Sequence, residues 1–278
     1  MKKKLLSIVL AAAMVLSFAA CSKDGGKSGG GDPAGGAANA NSGANNEYFN
    51  LQKAGPYYEL SGLSDKGKKQ ESLVIPAGVI ITGTIKDGVA KSVTFESDDD
   101  VEISYLFASC STLETVVLPA NLTNLCPLSN CTALKEISIP KAVKTIPSTS
   151  FFGDTALEKV VINGDITEIG NQAFLNCKAL KSINFPDSLT TVGDWAFKGC
   201  ESLTEITLPK GLKNIGQLAF SDIGLQTVTV PAELELEKWD KAAFVQLNNS
   251  YTVKVKEGSW ADQNFESVFQ GQATKEYY

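Results

Sequence analysis

Histidine and arginine are missing from this 278-residue chain, whose 25 basic residues are all lysine. Without histidine the chain cannot assemble a Ser/His/Asp or Cys/His catalytic system, or a zinc site with histidine ligands. Without arginine it lacks the planar group that recognises phosphate or guanine through two parallel hydrogen bonds. A carboxylate pair for glycoside hydrolysis is the catalytic arrangement that its 31 acidic residues leave open. From the missing histidine and arginine we predict a protein that is not an enzyme and that binds no cofactor, no metal and no nucleic acid.

Long apolar runs are scarce, and the clearest one stands at the amino terminus. Lys2–Lys4 precede the largely apolar run Leu5–Ala20, which is the pattern of a secretory signal peptide. Cys21 follows two alanines and resembles the cysteine of the bacterial lipobox, although Phe18 stands where a smaller aliphatic residue is more usual. We predict a signal peptide over 1–20 and a lipid on Cys21 that holds the protein to a membrane. An ordinary signal peptide and an uncleaved anchor are the alternatives, the latter with 16 residues where a span needs roughly 20.

Bulky side chains are missing from the segment between Ser22 and Asn46, which contains only Gly, Ala, Ser, Asn, Lys, Asp and one Pro. Such a composition has nothing to bury and is typical of a flexible tether, with an end-to-end distance of about 25 to 30 Å. We predict that residues 21–47 are the lipidated cysteine and its tether. Asp24 is a weak form of the acidic signal that directs lipoproteins outward in some anaerobic bacteria. We predict an outer-membrane lipoprotein at the cell surface, with the periplasmic face as the alternative.

The charge balance of the exported chain is acidic. Removal of the signal peptide leaves 22 lysines against 31 acids and a net charge of −9. Nucleic acid and anionic membrane surfaces are poor partners for such a chain, whereas basic partners are favoured.

A motif of the form Leu-x-x-Ile/Val-x-apolar, often followed by Pro, recurs at a spacing of 21 to 23 residues. Its first leucines are Leu113, Leu134, Leu157, Leu180, Leu203 and Leu225. A second row of apolar residues keeps the same phase and consists of Phe107, Leu128, Phe151, Phe174, Phe197 and Phe220. Self-similarity at a fixed period of this length predicts a repeat solenoid.

Each slot of the repeat has a physical reason. The Leu-x-x-Ile-x-Leu segment alternates like a strand with one buried face, and the proline ends the strand because it has no amide hydrogen to donate. One unit cannot bury its own apolar side, so successive units stack. We predict a β-rich solenoid in which parallel strands stack at a 23-residue period, with short turns or helical turns on the back. Gly170, Gly193 and Gly216 are expected to supply a backbone bend that a side chain would oppose.

The repeat resembles the BspA-like bacterial leucine-rich repeats. The resemblance is carried by the string Ile-Gly-x-x-Ala-Phe-x-x-Cys-x-x-Leu-x-x-Ile-x-apolar-Pro, which begins at Ile169 and recurs from Val192. It covers about 104–235 well and 57–103 loosely, and the units at Leu128 and 151–164 depart from it. The resemblance implies an exported, often surface-attached protein of gut or oral bacteria, some of whose relatives are adhesins for host matrix proteins. It implies no catalytic residues.

The ends of the repeat array are irregular. Residues 48–278 are predicted to form one leucine-rich repeat domain, with regular repeats over 101–235. Degenerate units over 48–100 and the segment 236–278, which has an alternating strand at 251–255 and helical spacing after it, are predicted caps. The ends of a solenoid have to stop the stack and shield its core.

Four cysteines fall in one slot of the repeat, three residues after the aromatic position, and Asp154 occupies the slot between them. They are Cys110, Cys131, Cys177 and Cys200, while Cys126 lies elsewhere. Adjacent turns bring this slot within disulfide range, but small buried thiols that fill a tight column are the interpretation we favour. The acidic run 98–100 is interpreted as a solvated turn, with calcium binding as the alternative.

Two columns of strand residues are predicted to face away from the core, on a broad and rigid sheet. They are the candidate binding face, and they consist of Thr115, Glu136, Lys159, Ser182, Glu205 and Thr227, and of Val117, Ser138, Val161, Asn184, Thr207 and Thr229. The alternative is that these residues simply form strands well.

The predicted function is a membrane-anchored binding or adhesion module that recognises a host or bacterial surface protein or glycoprotein through this face. The alternatives are a glycan-binding accessory lipoprotein of a nutrient-uptake system, which would use Trp195 or Trp239, and a periplasmic scaffolding factor.

Overall fold

Short strands make up most of the regular structure. The computed structural model describes residues 46–55, 57–99, 101–103, 105–245, 250–269 and 273–278, all within one compact unit. The predicted signal peptide, Cys21 and nearly all of the tether lie outside these residues. The strands are β1 (Phe49–Ala54), β2 (Tyr57–Leu63), β3 (Ser72–Ile75), β4 (Val79–Thr84), β5 (Ser92–Phe95), β6 (Thr115–Val116), β7 (Glu136–Ile139), β8 (Thr145–Ile146), β9 (Lys159–Ile162), β10 (Glu168–Ile169), β11 (Ser182–Ile183), β12 (Thr191–Val192), β13 (Glu205–Thr207), β14 (Asn214–Ile215), β15 (Thr227–Thr229), β16 (Lys238–Trp239), β17 (Tyr251–Val255) and β18 (Ala273–Tyr277). The α-helices are α1 (Trp260–Gln263) and α2 (Phe265–Val268), and short 3-10 helices span Asn46–Tyr48 and Gly67–Lys69.

The predicted parallel stacking of the strands that belong to the Leu-x-x-Ile/Val motif is confirmed. These strands form what we name the front sheet, in three hydrogen-bonded segments: β3-β5-β6, β7-β9-β11 and β13-β15-β17-β18. Equivalent residues of successive repeats pair in register, as Ile137 does with Val160, and Val160 with Ile183. The strands of the front sheet are therefore parallel within each segment, and the hydrogen-bonded ladder is interrupted between β6 and β7 and between β11 and β13.

A second sheet, which the sequence did not predict, runs along the other half of each repeat. Its parallel strands are β8, β10, β12, β14 and β16, and each is two residues long. Ile146, Ile169, Val192 and Ile215 are in register along it and are buried. Two residues are too few to show the alternation by which a strand is recognised in a sequence.

The core is a set of rows that run along the stack. The predicted aromatic row is confirmed, because the rings of Phe151, Phe174, Phe197 and Phe220 stack face to face with centroids 5.0, 5.0 and 5.4 Å apart. Phe244 extends the row, 5.1 Å from Phe220. Each ring thus covers the face of its neighbour, and the row is fully buried.

Two turns of most repeats pass through left-handed backbone. One row of positive φ values occurs two residues before the aromatic, at Thr149, Gln172, Trp195 and Leu218. The other occurs two residues after it, at Ser109, Asn130, Gly153, Asn176, Gly199 and Asp222. The glycines after the second-sheet strands have a different role. A Cβ on Gly193 would lie 2.7 Å from the Asn171 amide nitrogen, so the closeness of the neighbouring turn is what excludes a side chain there.

The irregular ends extend the front sheet, and at the amino-terminal end β1, β2 and β4 form a separate sheet in which β1 and β2 are antiparallel. β3 pairs with β5 in parallel, with Leu73 opposite Val93, as the degenerate repeats predicted. At the other end β17 pairs with β15, and β18 pairs with β17, so the stack extends beyond residue 235. The helical spacing after residue 259 corresponds to α1 and α2. The role of the two ends as caps stays a prediction.

Candidate binding face

All twelve predicted binding-face residues lie on the outward side of the front sheet or directly beside its strands. Val117 is the most prominent apolar one, with 58% of its surface exposed, whereas Val161, Thr227 and Thr229 are half-buried. The alternation of each strand explains this placement: in β7, Ile137 and Ile139 are buried while Glu136 and Ser138 are exposed. The face is a row of short side chains on hydrogen-bonded backbone.

Ion pairs link successive turns across this face. The Lys159 ammonium lies 2.8 Å from the Glu136 carboxylate, and the next column repeats the contact between Lys181 and Glu158 at 2.6 Å. The hydrogen bond and charge of Lys181 hold the pKa of the Glu158 carboxyl below its ordinary value. Exposed pairs of this kind add little stability. Each pair joins a charged group of one turn to a charged group of the next turn.

Two asparagines brace the backbone at this face. The Asn184 side chain accepts a hydrogen bond from the Ile162 amide at 3.0 Å and donates one to the Ile162 carbonyl at 3.1 Å. Asn163 donates to the Ser138 hydroxyl at 2.7 Å and to the Ile139 carbonyl at 3.1 Å. Asn184 and Ser138 therefore have structural partners, which the sequence did not indicate. The role of Asn163 was missed because it lies just past the strand.

A depression in the face, named here the front groove, lies where β11 and β13 are not hydrogen-bonded to each other. It has a volume of about 520 Å³, and it brings together Ser182 and Asn184 of one turn and Glu205 and Thr207 of the next. Phe185 forms part of its lining and packs edge-on against Phe197, with ring centroids 5.6 Å apart. Four of the twelve predicted residues thus share one concavity.

The tryptophans proposed for glycan stacking lie elsewhere. Trp195 is on a left-handed turn with 38% of its surface exposed. Trp239 lies in β16, where its indole N–H donates to the Ser267 carbonyl at 3.1 Å and its ring meets Trp260 edge-on. It lines a groove of about 510 Å³ on the second sheet, together with Asp194, Asn214 and Gln217. Trp195 is not part of that lining.

The cysteine column consists of free, buried thiols, as the interpretation we favoured predicted. The thiols of Cys131, Cys177 and Cys200 donate to the carbonyls of Phe107, Phe151 and Phe174, at 3.1, 3.0 and 3.2 Å. Burial raises the pKa of Cys110 and of Cys126 to about 12, so these thiols are protonated and unreactive at neutral pH.

Metal ligands are not gathered anywhere in the described part of the chain, which has no group of three or more Cys, Asp or Glu side chains arranged to hold an ion. In the acidic run, Asp98 accepts a hydrogen bond from the Ala120 amide and Asp99 accepts one from the Ser97 hydroxyl. Asp100 lies outside the described residues. Across the segments that are described, no helix combines the length and apolar character needed to cross a bilayer.

The repeat, the two parallel sheets and the buried rows define a leucine-rich repeat solenoid, an architecture that typically serves as a binding scaffold without catalytic residues. The model of the BspA type leucine rich repeat region matches residues 128–251 in six copies. These residues belong to the BspA-type leucine-rich repeats, as the sequence resemblance predicted.

Solved structures of bacterial leucine-rich repeat proteins are similar to this chain, among them the three that follow, and no curated protein matches it. A leucine-rich repeat protein of T. pallidum is 20% identical, with a TM-score of 0.37 over 76% of this chain and 85% of that one. A leucine-rich repeat protein of Bacteroides ovatus is 18% identical, with a TM-score of 0.35 over 83% and 97%. A leucine rich cell surface protein of Faecalibacterium prausnitzii is 16% identical, with a TM-score of 0.33 over 82% and 98%.

Proposed function

We propose that this protein is an exported lipoprotein, anchored through Cys21, whose solenoid binds a protein or glycoprotein partner on the front sheet. The front groove carries the proposal, because a concavity that gathers short polar side chains from two turns offers hydrogen-bonding groups around a defined volume. The bracing by Asn163 and Asn184 supports it further, since a rigid surface loses little conformational entropy when it binds.

The composition of the groove bears on the kind of partner. Glu205 and Asp187 line it together with Lys181, and the Lys181 ammonium is already paired with Glu158. Asp187 is paired with Lys210 at 2.7 Å, so most of the charge is balanced within the chain. We infer a partner that presents hydroxyl, amide or small apolar groups, as a polypeptide loop or a glycoprotein does.

The test is a single lysine placed in the groove. In Thr207→Lys a bulky cation fills the groove, and we expect binding to fall on the order of ten-fold or more. The partner for this assay is a hit from an array of host and bacterial surface proteins and glycoproteins probed with the purified chain.

Thr155→Lys is the matched control, because it makes the same change at an exposed position outside the groove. Both variants should melt within a few degrees of the wild type, since both positions are exposed. If Thr207→Lys binds the partner as well as Thr155→Lys does, the front groove is not the binding site.

A glycan-binding accessory protein is the second candidate, and the groove beside Trp239 favours it. An aromatic ring beside Asp194, Asn214 and Gln217 supplies both stacking and hydrogen-bonding groups for a sugar. If this alternative holds, soluble polysaccharide would compete with the array partner for binding, and the Thr207→Lys variant would bind that partner as the wild type does.

A further inference from the structure

An apolar pocket that shares no residue with the front groove lies in the amino-terminal part of the stack. This N-terminal pocket has a volume of about 350 Å³, near the lower end of the usual range for ligand sites. Pro76, Ile80, Phe95 and Val101 supply apolar lining, and Asp99 and Glu102 supply carboxylates. Its size suits a single large side chain rather than an extended cofactor.

Part of the apolar lining of the pocket is exposed at a strand position where the alternation calls for a polar residue. In β4, Val79 and Ile81 are buried, and Ile80 between them points outward with 42% of its surface exposed. Phe95 and Val101 are only half-buried beside it. Three apolar groups that meet at one concavity form a patch, and such patches mark interaction sites more often than single exposed residues do.

The charge around this pocket has one sign. The residues that line it include two acids and no described lysine. Asp99 accepts its hydrogen bond from the Ser97 hydroxyl and Asp98 accepts one from the Ala120 amide, at 2.6 and 3.2 Å. The Ser97 donor is uncharged, so this contact does not neutralise the Asp99 carboxylate that lines the pocket.

We propose that the N-terminal pocket binds a basic segment of a partner protein, which inserts one large apolar side chain between flanking lysines or arginines. The apolar side chain fills the space between Ile80, Phe95 and Val101, and a flanking cation lies near Asp99. The acidic net charge of the whole chain acts in the same direction, because it raises the association rate of a basic partner. This second surface does not depend on the front-sheet proposal.

The probe is a fluorescently labelled pentapeptide with phenylalanine between two pairs of lysines, titrated with the full exported chain. Two control peptides replace the phenylalanine with alanine or the lysines with glutamates. We expect measurable binding of the first peptide alone, weakened by added salt because part of the attraction is between exposed charges. Ile80→Thr should weaken binding about five-fold through lost apolar contact. Asp99→Lys should weaken it further by reversing the charge.

Val89→Thr is the matched control variant, because it makes a similar change at an exposed valine that lines neither the front groove nor the N-terminal pocket, and it should leave binding unchanged. The proposal is overturned if no peptide binds, if the alanine or glutamate peptide binds equally well, or if Ile80→Thr binds like the wild type. It is also overturned if sedimentation shows a wild-type dimer that Ile80→Thr converts to monomer, since a second copy would then cover the pocket.

Discussion

Asp154 is a fully buried carboxyl in the column that cysteines occupy in other repeats. One of its oxygens accepts a hydrogen bond from the Cys131 amide at 2.8 Å, and the other has no hydrogen-bond partner among the described residues. Burial raises the pKa of Asp154 to about 8 from an ordinary value of 3.8, because the charged form is poorly solvated there. The neutral acid is therefore the form that fits this slot.

The raised pKa of Asp154 predicts that the fold weakens as pH rises. The folded-state pKa lies above the unfolded value, so the stabilisation is fully present below about 3.8 and is lost as pH rises towards about 8. Each pH unit in this window lowers the unfolding free energy by about 1.4 kcal/mol. Asp154→Cys places a neutral thiol in the slot and should remove this part of the pH dependence.

The measurement is urea unfolding of wild type and Asp154→Cys at pH 5.5 and pH 7.5. We expect Asp154→Cys to be the more stable protein at pH 7.5, by on the order of a few kcal/mol. The exposed Asp165→Asn serves as the control and should keep the wild-type pH slope. If the free energy of unfolding changes equally with pH in wild type and Asp154→Cys, ionisation of Asp154 does not destabilise the fold.

Among the elements, β18 is held at the carboxy-terminal end of the front sheet by several contacts. β18 pairs along its whole length with β17, and Lys275 anchors it to Asp262 through a contact of 2.8 Å. The Tyr278 hydroxyl donates to the Val230 carbonyl at 2.8 Å. These contacts tie the end of the chain to the turns beneath it.

Removing β18 tests the predicted carboxy-terminal cap. A chain that stops after Phe269 exposes the edge of β17, whose Tyr251, Val253 and Val255 are buried in the full chain. The β18 edge of the full chain carries Lys275 and Glu276, and charged side chains protect an exposed strand edge from association with another chain. We expect light scattering to show concentration-dependent self-association of the truncated chain. The full chain at the same concentration is the control, and monomeric behaviour of the truncated chain would argue against a capping role.

At the scale of the whole molecule, display and anchoring are the features to test. We expect protease treatment of intact cells to release fragments of residues 47–278, as it should for a lipoprotein at the cell surface. Cys21→Ser should free the protein from the membrane fraction, because no lipid thioether can form on serine. A periplasmic protein is the control for leakage. Protection of the wild-type chain would instead favour the periplasmic scaffolding alternative.

Much of the fold could be predicted from the sequence, because the sequence period of a solenoid sets which residues of successive turns lie next to one another. Leu134, Leu157 and Leu180 recur in phase, and the structure buries all three. The free, buried state of Cys177 and Cys200 and the in-phase row that contains Phe174 and Phe197 were predicted in the same way. Each of these predictions depends only on the position of a residue within its repeat. When repeats stack, residues at the same position have the same kind of neighbours in the turns above and below.

The repeat, its buried rows and the outward direction of the twelve binding-face residues could all be predicted from the period of the sequence. The tertiary structure alone decided the second sheet, the break between β11 and β13 and the bracing of Ile162 by Asn184. It also decided that Ile80, Phe95 and Val101 meet at one pocket. The physical reason is that these features arise from contacts between turns whose side chains differ, such as Phe185 where other repeats have Ile139 or Leu208. The sequence period reflects the residues that all repeats share, whereas the front groove and the N-terminal pocket form where neighbouring repeats differ.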